Sequence, residues 1–350
     1  MRIFQITPEY ARGGGELIAR NLHEGALAQG HESTLVVISG KDVRESASVV
    51  SLHGSGPRDL RTVFELHRLV DGCNKPIVHT HMYSAQLFGA TLPRGNIRLV
   101  TTEHNTHNRR RNWPGFRWID RRMYQRYSRI VAISQPVADA LCDWCEDTRS
   151  RLVTIPNGVN TTAVRFVAQA PAGIRLVSVG RLEEQKNFGV SIVAVATLID
   201  QGYDITYDIF GEGSQHAELR SLIAERGHLD RIRLLGWSNE ISSRLADYSG
   251  MVAPSVWEGF GLAVIEGMAA GLPVVCSNVR GMADVVEGGP ALSFMPQRPS
   301  DLVEVLGKAL DAGYFCENGN RHAAHRHAAR YDFGETMRKY LELYDEICRS

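Results

Sequence analysis

The residues best suited to chemistry in this chain lie in three single turns and a pair of histidine turns, each after a short apolar run. The first turn is Pro8–Glu16 (PEYARGGGE), in which Gly13, Gly14 and Gly15 come before a helical stretch. Glycines let backbone N–H groups approach a phosphate or a sugar closely, and a helix N-terminus favours an anion. The spacing matches neither a dinucleotide fingerprint nor a Walker A loop, so a flexible turn is an equal alternative.

The second turn, Val179–Asn187 (VGRLEEQKN), contains two cations five positions apart. Arg181 offers a planar fork of donors and Lys186 a mobile point charge, and together they suit a diphosphate. On spacing alone, two solvated surface cations are the more common outcome. The turn therefore indicates a phosphate site only in combination with other features.

The third turn, Glu258–Glu266 (EGFGLAVIE), combines two acids with two glycines. Gly259 and Gly261 free the backbone where a helix should begin. The loop carboxylate of Glu258 can accept hydrogen bonds from sugar hydroxyls, and the helical Glu266 can accept from a ribose diol, as acids do in other nucleotide folds. The alternative is a helix-capping acid followed by a solvated one.

The fourth feature is a pair of histidine turns, Val78–Tyr83 (VHTHMY) and Thr102–Asn108 (TEHNTHN). Both follow predicted strands, so we expect His81 and His104 to face a ligand cleft. The four imidazoles in these turns are those of His79, His81, His104 and His107. A metal site is the less favoured interpretation, because no cysteine or carboxylate spacing supports it.

Composition indicates an ordinary globular protein of two domains. The chain has 350 residues, 43% of them hydrophobic, with 39 Lys and Arg balanced by 39 Asp and Glu. The hydrophobic fraction argues against disorder, and the absence of net charge argues against a general nucleic-acid partner. The sequence starts without a signal-peptide pattern, and six scattered cysteines predict a reducing cytosol. No stretch of about 18 apolar residues predicts a membrane span.

The sequence pattern predicts alternating strands and helices as the elements that position these turns. The predicted strands of the first half are Arg2–Ile6, Thr34–Ile38, Ile77–Thr80, Arg98–Thr102, Ile130–Ile133 and Leu152–Ile155. Those of the second half are Arg175–Val179, Thr206–Phe210, Arg231–Leu235, Gly250–Ala253, Pro273–Cys276 and Ala291–Phe294. Many are continuous apolar runs, typical of strands covered on both faces. The pattern predicts the α/β class, with two Rossmann-like domains facing across a cleft.

The domain boundary is predicted from a break in periodicity. Residues Thr161–Gly173 (TTAVRFVAQAPAG) have little periodicity and are interpreted as the linker. This gives a first Rossmann-like domain over 1–162 and a second over 174–332. The tail, 333–350, contains an amphipathic helix whose apolar face must pack on something.

Several motifs occur together in order along the chain. They are GGGE with Gly30–His31 downstream, HTHM, TEHN, IPNGV, VGRLEEQKN and EGFGLAVIE. As a set they resemble the retaining family 4 glycosyltransferases of GT-B fold, and the likeness covers nearly the whole chain. The resemblance implies a nucleotide-sugar donor, UDP- or GDP-linked, in the second domain and an acceptor in the first. It also implies that the tail helix crosses back onto the first domain.

Matching the motifs residue by residue gives expected roles. The diphosphate would be held by Arg181 and Lys186, and the donor sugar would be contacted by Glu258. Backbone groups of Gly259, Phe260, Gly261 and Leu262 would cradle sugar and phosphate, with Glu266 on the ribose. Gly13 and Gly14 would lie near the diphosphate, with Gly15, His81 and His104 on the acceptor side. The residues expected to be catalytic are His104, Glu258, Arg181 and Lys186.

The sequence contains no Asp-x-Asp pair, the usual clamp for Mg²⁺ or Mn²⁺ in metal-dependent transferases. Arg181, Lys186 and helix dipoles would then meet the charge on the leaving group. We therefore expect no metal and no cofactor. The resemblance further implies retention by same-face attack, with the leaving phosphate taking the acceptor proton.

The segment His107–Arg129 is basic and aromatic. It contains eight arginines, a single acid and five large aromatic residues. Contact with an anionic bilayer or a lipid-diphosphate acceptor is one interpretation, and a solvated face with core aromatics is the equal alternative. A lone Cys142–Cys145 pair is a weak metal or redox signal, so the cysteines are interpreted as incidental.

The sequence thus predicts a hexosyltransferase-type, metal-independent, retaining glycosyltransferase of surface polysaccharide or glycolipid biosynthesis. It would act in the cytoplasm, and peripheral contact with the inner face of the membrane is also considered. One alternative is a catalytically silent GT-B protein that only binds sugar or nucleotide. The other is an NAD-dependent Rossmann oxidoreductase, which is disfavoured because neither half carries G-x-G-x-x-G followed by an acid about twenty residues later.

Overall fold

The structure is a computed structural model that describes the chain apart from residues 11–12, 41–42, 44, 56–58, 239 and 350, and Arg109 by its backbone alone. Ala11 and Arg12 belong to the predicted first turn, so this part of the turn lies outside the described residues. The chain forms two compact units, one of residues 1–157 and 334–350 and one of residues 158–333.

The first unit is built on a parallel sheet that has seven strands in the described part of the chain. These strands are β1 Arg2–Glu9, β2 Glu32–Ser39, β3 Val49–Ser51, β4 Ile77–His81, β5 Arg98–Glu103, β6 Arg129–Ala132 and β7 Leu152–Thr154. Their spatial order is β3-β2-β1-β4-β5-β6-β7. The order reverses between β1 and β4, which makes this pair the topological switch point.

Helices cover the sheet of the first unit. They are α1 Gly14–Ala28, α2 Leu60–Val70, α3 Met82–Thr91, α4 Gly115–Tyr124, α5 Gln135–Trp144 and the tail helix α13 Phe333–Arg349. The apolar core contains Phe4, Ile6 and Val78 from the strands, packed with Leu66 of α2 and Phe88 of α3. Burial of such side chains drives folding by about 25 cal/mol for each Å² removed from water.

The second unit is built on a parallel sheet of six strands among the residues described there. These strands are β8 Ile174–Val179, β9 Ile205–Phe210, β10 Ile232–Gly236, β11 Gly250–Ala253, β12 Val274–Ser277 and β13 Ala291–Phe294. The order β10-β9-β8-β11-β12-β13 places the switch point between β8 and β11. The helices are α6 Phe188–Asp200, α7 His216–Glu225, α8 Ile241–Arg244, α9 Leu262–Ala269, α10 Met282–Val286, α11 Pro299–Asp311 and α12 Asn318–Ala328.

The predicted class, two Rossmann-like parallel sheets with helices between strands, is confirmed. Each predicted strand overlaps an observed one, and the short strand β3 was missed. The chain passes between the units at Asn157–Gly158 and returns at Phe333–Gly334. Residues 161–173, interpreted as a linker, lie within the second unit. Just before them, the backbone N–H of Val159 donates to the carbonyl of Tyr331, in the same unit, at 2.9 Å.

Candidate functional site

The predicted anion-binding turns lie at the two switch points. In the second unit, the turn after β8 carries Arg181 and Lys186, and the turn after β11 carries Glu258. In the first unit, the glycine turn follows β1 and His81 ends β4. Adjacent parallel strands that lead to helices on opposite faces leave a crevice at their carboxyl ends, where ligands of open α/β sheets bind.

Lys186 and Glu258 meet directly, although 72 residues separate them in the chain. The Lys186 ammonium donates a short hydrogen bond to Oε1 of Glu258, and the Ser255 hydroxyl donates to the same oxygen at 3.0 Å. The two charged side chains are 20% and 10% exposed, so the pair is largely shielded from water. A charge-assisted bond of this kind holds both groups in fixed positions beside the switch point.

The loop that carries Glu258 rests on Gly281. A β-carbon at Gly281 would lie 2.4 Å from the carbonyl oxygen of Glu258, and the backbone there has a φ of +83°. Gly261, with a φ of +93°, starts helix α9, and no side chain caps this helix. The first backbone N–H groups of α9 therefore remain suited to an anion.

Sequence analysis missed Gly281 and Ser255. The spacing of Ser255 and Glu258, three residues apart, resembles a capping pattern and could have indicated their hydrogen bond. The clash that fixes Gly281 depends on a contact between separate turns, and no local pattern reveals it.

Glu266 lies in the middle of α9 and is partly buried. Burial raises the pKa of its carboxyl to about 7, so the side chain titrates near neutral pH. Arg181 is exposed, two residues beyond the end of β8, and its convergence with Lys186 stays a prediction.

In the first unit, the glycine turn leads into α1. Gly13 precedes the helix and Gly14 is its first residue, again without a side-chain cap. A β-carbon on Gly15 would lie 3.2 Å from Sδ of Met82 and 3.4 Å from the ring of His104. The third glycine therefore leaves room for His104 and Met82 to pack against the start of α1.

Three of the predicted histidines lie together. Nδ1 of His81 lies 3.3 Å from Nε2 of His104, and the rings of His79 and His81 are 4.2 Å apart. His79 and His81 are fully buried, His104 is half-buried and His107 is exposed. Burial lowers the pKa of His79 to about 3 and that of His104 to about 4, so these rings are neutral at neutral pH.

No metal site forms from these histidines. Both ring nitrogens of His81 are hydrogen-bonded, to His104 and to Gln5, and both of His79 are bonded as well. Within the described ranges, no three His, Cys, Asp or Glu side chains are placed to share a metal ion. Cys145 is buried, and burial raises the pKa of its thiol to about 11, which disfavours a reactive thiolate.

A buried ionic cluster anchors the basic segment His107–Arg129. Glu103, at the end of β5, accepts from the Tyr124 hydroxyl at 2.6 Å and from Arg111 at 3.4 Å. Asp120 of α4 is fully buried and pairs with Arg110 at 2.9 Å. Arg110 and Arg111 are thus engaged inside the protein and do not contribute to a basic surface.

The outer side of the same segment carries exposed aromatic residues. Trp113 is 70% exposed, Trp118 65% and Phe116 37%. The Arg122 guanidinium lies over the Trp118 ring at 5.2 Å. Tyr124 and Tyr127 are buried, so the inner side of the segment contributes core aromatics. The outer side is an exposed aromatic, basic surface, and its contact with a membrane or a lipid-linked acceptor stays a prediction.

The fold is shared with solved glycosyltransferase structures. Sucrose-phosphate synthase from Thermosynechococcus elongatus superimposes with a TM-score of 0.86 at 18% identity, covering 99% of each chain. HepE of Anabaena in complex with UDP-glucose gives a TM-score of 0.84 at 17% identity, covering 99% of this chain and all of that one. The two Rossmann-like sheets, with charged turns at their switch points, therefore define a protein of GT-B fold.

Sequence comparison gives the family. The model described as "Glycosyltransferase Family 4" matches residues 12–163, and the model described as "Glycosyl transferases group 1" matches residues 164–328. The chain belongs to the family 4 type of glycosyltransferases, as its motifs predicted.

Curated relatives share about half of their length with this chain. The 2-deoxystreptamine glucosyltransferase of Streptomyces kanamyceticus is 30% identical over 52% of this chain and 47% of its own. The GDP-mannose:cellobiosyl-diphosphopolyprenol alpha-mannosyltransferase of Komagataeibacter xylinus is 28% identical over 66% of this chain and 60% of its own. In the described part of the chain, no helix combines the length and apolar character needed to cross a bilayer.

Proposed function

We propose that this protein transfers a sugar from a nucleotide-sugar donor to a glycan or lipid-linked acceptor. The observation that carries the proposal is the Lys186–Glu258 pair at the switch point of the second unit, beside the uncapped start of α9. A cation, a carboxylate and a helix N-terminus that no side chain caps together suit a diphosphate linked to a sugar. The membership in family 4 supports this use of the site.

In the donor site, Lys186 and Arg181 neutralise the diphosphate. Glu258 accepts hydrogen bonds from the donor sugar, and Glu266 accepts from the ribose diol. Backbone groups of Gly259, Phe260, Gly261 and Leu262 line the same turn. Because Lys186 and Glu258 already touch, phosphate and sugar would be held at adjacent positions, as they are in a nucleotide-sugar.

The chemistry follows from where charge develops. As the bond between sugar and phosphate breaks, negative charge grows on the leaving diphosphate, and preorganised cations and the α9 N-terminus stabilise it. We propose that the reaction needs no metal ion and retains the anomeric configuration, with the leaving phosphate taking the acceptor proton. Gly13 and Gly14 are also proposed to bind the diphosphate. Gly15 would leave space for His104 beside the reacting sugar.

The acceptor is proposed to be lipid-linked, in biosynthesis of a surface polysaccharide or glycolipid at the cytoplasmic face of the membrane. The relative from Komagataeibacter xylinus is named for a diphosphopolyprenol acceptor, and one from Escherichia coli for a diphosphoundecaprenol acceptor. The exposed aromatic residues Trp113, Phe116 and Trp118, with arginines beside them, suit the boundary between lipid headgroups and acyl chains.

A thermal-shift screen with UDP-glucose, GDP-mannose and ADP-glucose tests donor binding, because a ligand that binds only the folded state raises the melting temperature. We expect the donor with one of the three nucleotide bases to raise the melting temperature clearly, and the same donor to be turned over. Binding without transfer or donor hydrolysis would favour a silent binding protein. A shift with NAD and a change in nicotinamide absorbance would instead favour the oxidoreductase.

A further inference from the structure

One face of the first unit's sheet is polar at its centre although it is buried. The side chains concerned are Gln5 on β1, His79 and His81 on β4, and Thr102 on β5, all fully buried. Their strand neighbours Phe4, Ile6 and Val78 belong to the apolar core. Polar groups in such a position cost free energy unless each one is hydrogen-bonded, so their partners decide what this face does.

The partners come from the tail helix. Tyr340 and Tyr344 of α13 are fully buried. The Tyr340 hydroxyl lies 3.1 Å from Oγ1 of Thr102, and the Tyr344 hydroxyl lies 2.6 Å from Nδ1 of His79. The Gln5 amide nitrogen donates to the Tyr344 hydroxyl at 3.0 Å.

The hydrogen bonds continue from Gln5 to the site. Oε1 of Gln5 lies 2.8 Å from Nε2 of His81, and Nδ1 of His81 lies 3.3 Å from Nε2 of His104. His104 is half-buried, whereas Tyr344, Gln5 and His81 are fully buried. The chain of bonds from the tail helix therefore ends on the histidine that faces outwards from the sheet.

The direction of the hydrogen bonds fixes the protons. A neutral imidazole carries one N–H and one lone pair. With its amide nitrogen on Tyr344, Gln5 presents its carbonyl oxygen to His81, which must carry its proton on Nε2. Nδ1 of His81 is then an acceptor, so His104 must donate from Nε2 and keep a lone pair on Nδ1. The structure places the Gln5 amide nitrogen on the Tyr344 hydroxyl, which then has its own proton free to donate to Nδ1 of His79 at 2.6 Å.

We propose that Tyr344 is a positioning residue that, through Gln5 and His81, holds His104 as the Nε2–H tautomer with Nδ1 as an acceptor. The proposal rests on the proposed function, which places His104 beside the reacting sugar. A phenylalanine at position 344 would fill nearly the same volume, so packing alone does not require the hydroxyl. What the hydroxyl adds is an acceptor for the Gln5 amide nitrogen, because its own proton is directed to Nδ1 of His79.

Nitrogen NMR of the full chain labelled with ¹⁵N-histidine tests the tautomer without any ligand or activity. Protonated and unprotonated imidazole nitrogens have well-separated shifts, and loss of a signal in His104→Asn assigns the residue. We expect the wild-type protein to show His104 protonated at Nε2. Protonation at Nδ1, or a mixture of both tautomers, overturns the proposal directly.

Two tyrosines on one helix supply a matched pair of variants. Tyr344→Phe removes the hydroxyl that orients Gln5, whereas Tyr340→Phe removes one that contacts only Thr102 among these groups. We expect Tyr344→Phe to give His104 mixed tautomers and Tyr340→Phe to leave the wild-type tautomer. Equal effects of the two variants would mean that the link from Tyr344 to Gln5 has no special part in setting the tautomer and would overturn the proposal. If Tyr344→Phe fails to fold, Gln5→Met removes the same link and must give the mixed tautomers.

Turnover measurements with UDP-glucose then connect the tautomer to the reaction. Loss of one buried hydrogen bond typically changes an equilibrium or rate constant by about ten-fold. We expect Tyr344→Phe to lower kcat by about this factor with little change in KM, and Tyr340→Phe to stay near wild type. An altered tautomer with unchanged kcat would overturn the positioning role. Absence of wild-type turnover with any donor would instead refute the proposed function and leave the NMR result standing.

Discussion

At the scale of single residues, the proposed donor site depends on the Lys186–Glu258 pair. In the structure each charge is the other's partner, and Ser255 adds a hydrogen bond to the carboxylate. A diphosphate that approaches Lys186 must therefore share the ammonium with Glu258. This arrangement predicts that removing the two side chains has different effects on nucleotide binding.

We expect Lys186→Ala to weaken binding of UDP or GDP, whichever the protein prefers, and to lower kcat/KM by about 10²–10³, the usual loss for one charge-stabilising group. Glu258→Ala should keep nucleotide affinity within a few-fold, because it removes a competitor for Lys186, yet lower turnover strongly through a misplaced sugar. Calorimetric titration with nucleotide and with intact donor separates these effects.

Lys308→Ala serves as the control for charge, because Lys308 is an exposed lysine paired with Glu304 on α11. If Glu258→Ala loses nucleotide affinity as much as Lys186→Ala does, the assignment of phosphate to lysine and sugar to glutamate is wrong.

The raised pKa of Glu266 gives a pH dependence with a definite sign. Burial brings this pKa to about 7, so the carboxyl is neutral below that pH and charged above it. A charged carboxylate accepts stronger hydrogen bonds from a ribose diol. Donor affinity should therefore rise by about ten-fold as the pH increases through neutrality.

UDP-glucose and GDP-mannose are suitable probes for this dependence, because their diphosphates have no group that titrates near pH 7. Glu266→Gln, which stays neutral, should bind with low affinity at every pH. A variant that keeps the wild-type pH profile would show that another group is responsible.

At the scale of elements, the loop before α9 depends on a glycine from a different turn. Ala at position 281 would place its β-carbon 2.4 Å from the backbone oxygen of Glu258, so the donor loop must move. We expect Gly281→Ala to lower donor binding and turnover at least ten-fold, as a misplacement of reacting groups does.

Gly313→Ala is the matched control. Gly313 has a φ of +67° and open space around its Cα, so it shares the positive φ without the collision. Gly313→Ala should lose about 1–2 kcal/mol of unfolding free energy from its positive φ, and Gly281→Ala should lose more because its β-carbon also collides with the backbone oxygen of Glu258. Equal activity of the two variants would remove Gly281 from the donor site.

The segment around α4 is the second element with a testable role. Arg110 and Arg111 are held inside by Asp120 and Glu103, so the exposed tryptophans are presented on a fixed support. We expect Trp113→Ser with Trp118→Ser to weaken the binding constant for phosphatidylglycerol vesicles, measured by sedimentation, by at least about thirty-fold, since each tryptophan that enters the bilayer contributes at least about 1 kcal/mol of apolar transfer.

Trp237→Ser, at a tryptophan 38% exposed in the second unit, should leave vesicle binding unchanged. Phosphatidylcholine vesicles should bind all forms weakly, because they lack the anionic surface charge. Retained binding of the double variant would favour a solvated face.

At the scale of the whole molecule, the two units are folded on their own sheets and carry different predicted ligands. The chain leaves the first unit at Asn157 and returns to it at Gly334, so α13 completes the first unit although it is the last element in sequence. The chain spans about half the length of the curated relatives it matches. Its substrates are therefore assigned by proposal and by direct tests on this chain.

The proposed metal independence concerns the complete reaction. Because lysine, arginine and helix N-termini are proposed to meet the charge of the leaving group, EDTA should leave the rate of UDP-glucose or GDP-mannose turnover unchanged. The measurement is the rate before and after dialysis against chelator. Loss of turnover that Mn²⁺ or Mg²⁺ restores would show that a metal ion carries part of that charge.

Much of this protein is determined by local sequence. The alternation of apolar runs and helical stretches predicted both parallel sheets, because strands buried on both faces are mainly apolar. The same analysis predicted Lys186, Glu258 and His104 in turns that follow strands. Strand β3 was missed because its three residues, Val49–Ser51, are too few to give a pattern.

Only the tertiary structure decided which of these residues meet. The ion pair of Lys186 with Glu258 spans 72 positions, and the hydrogen bond from Gln5 to Tyr344 spans 339. Likewise, burial by neighbours that are distant in sequence raises the pKa of Glu266. Contacts and dielectric environment arise from packing between elements, and the pattern of residues within one element does not contain them.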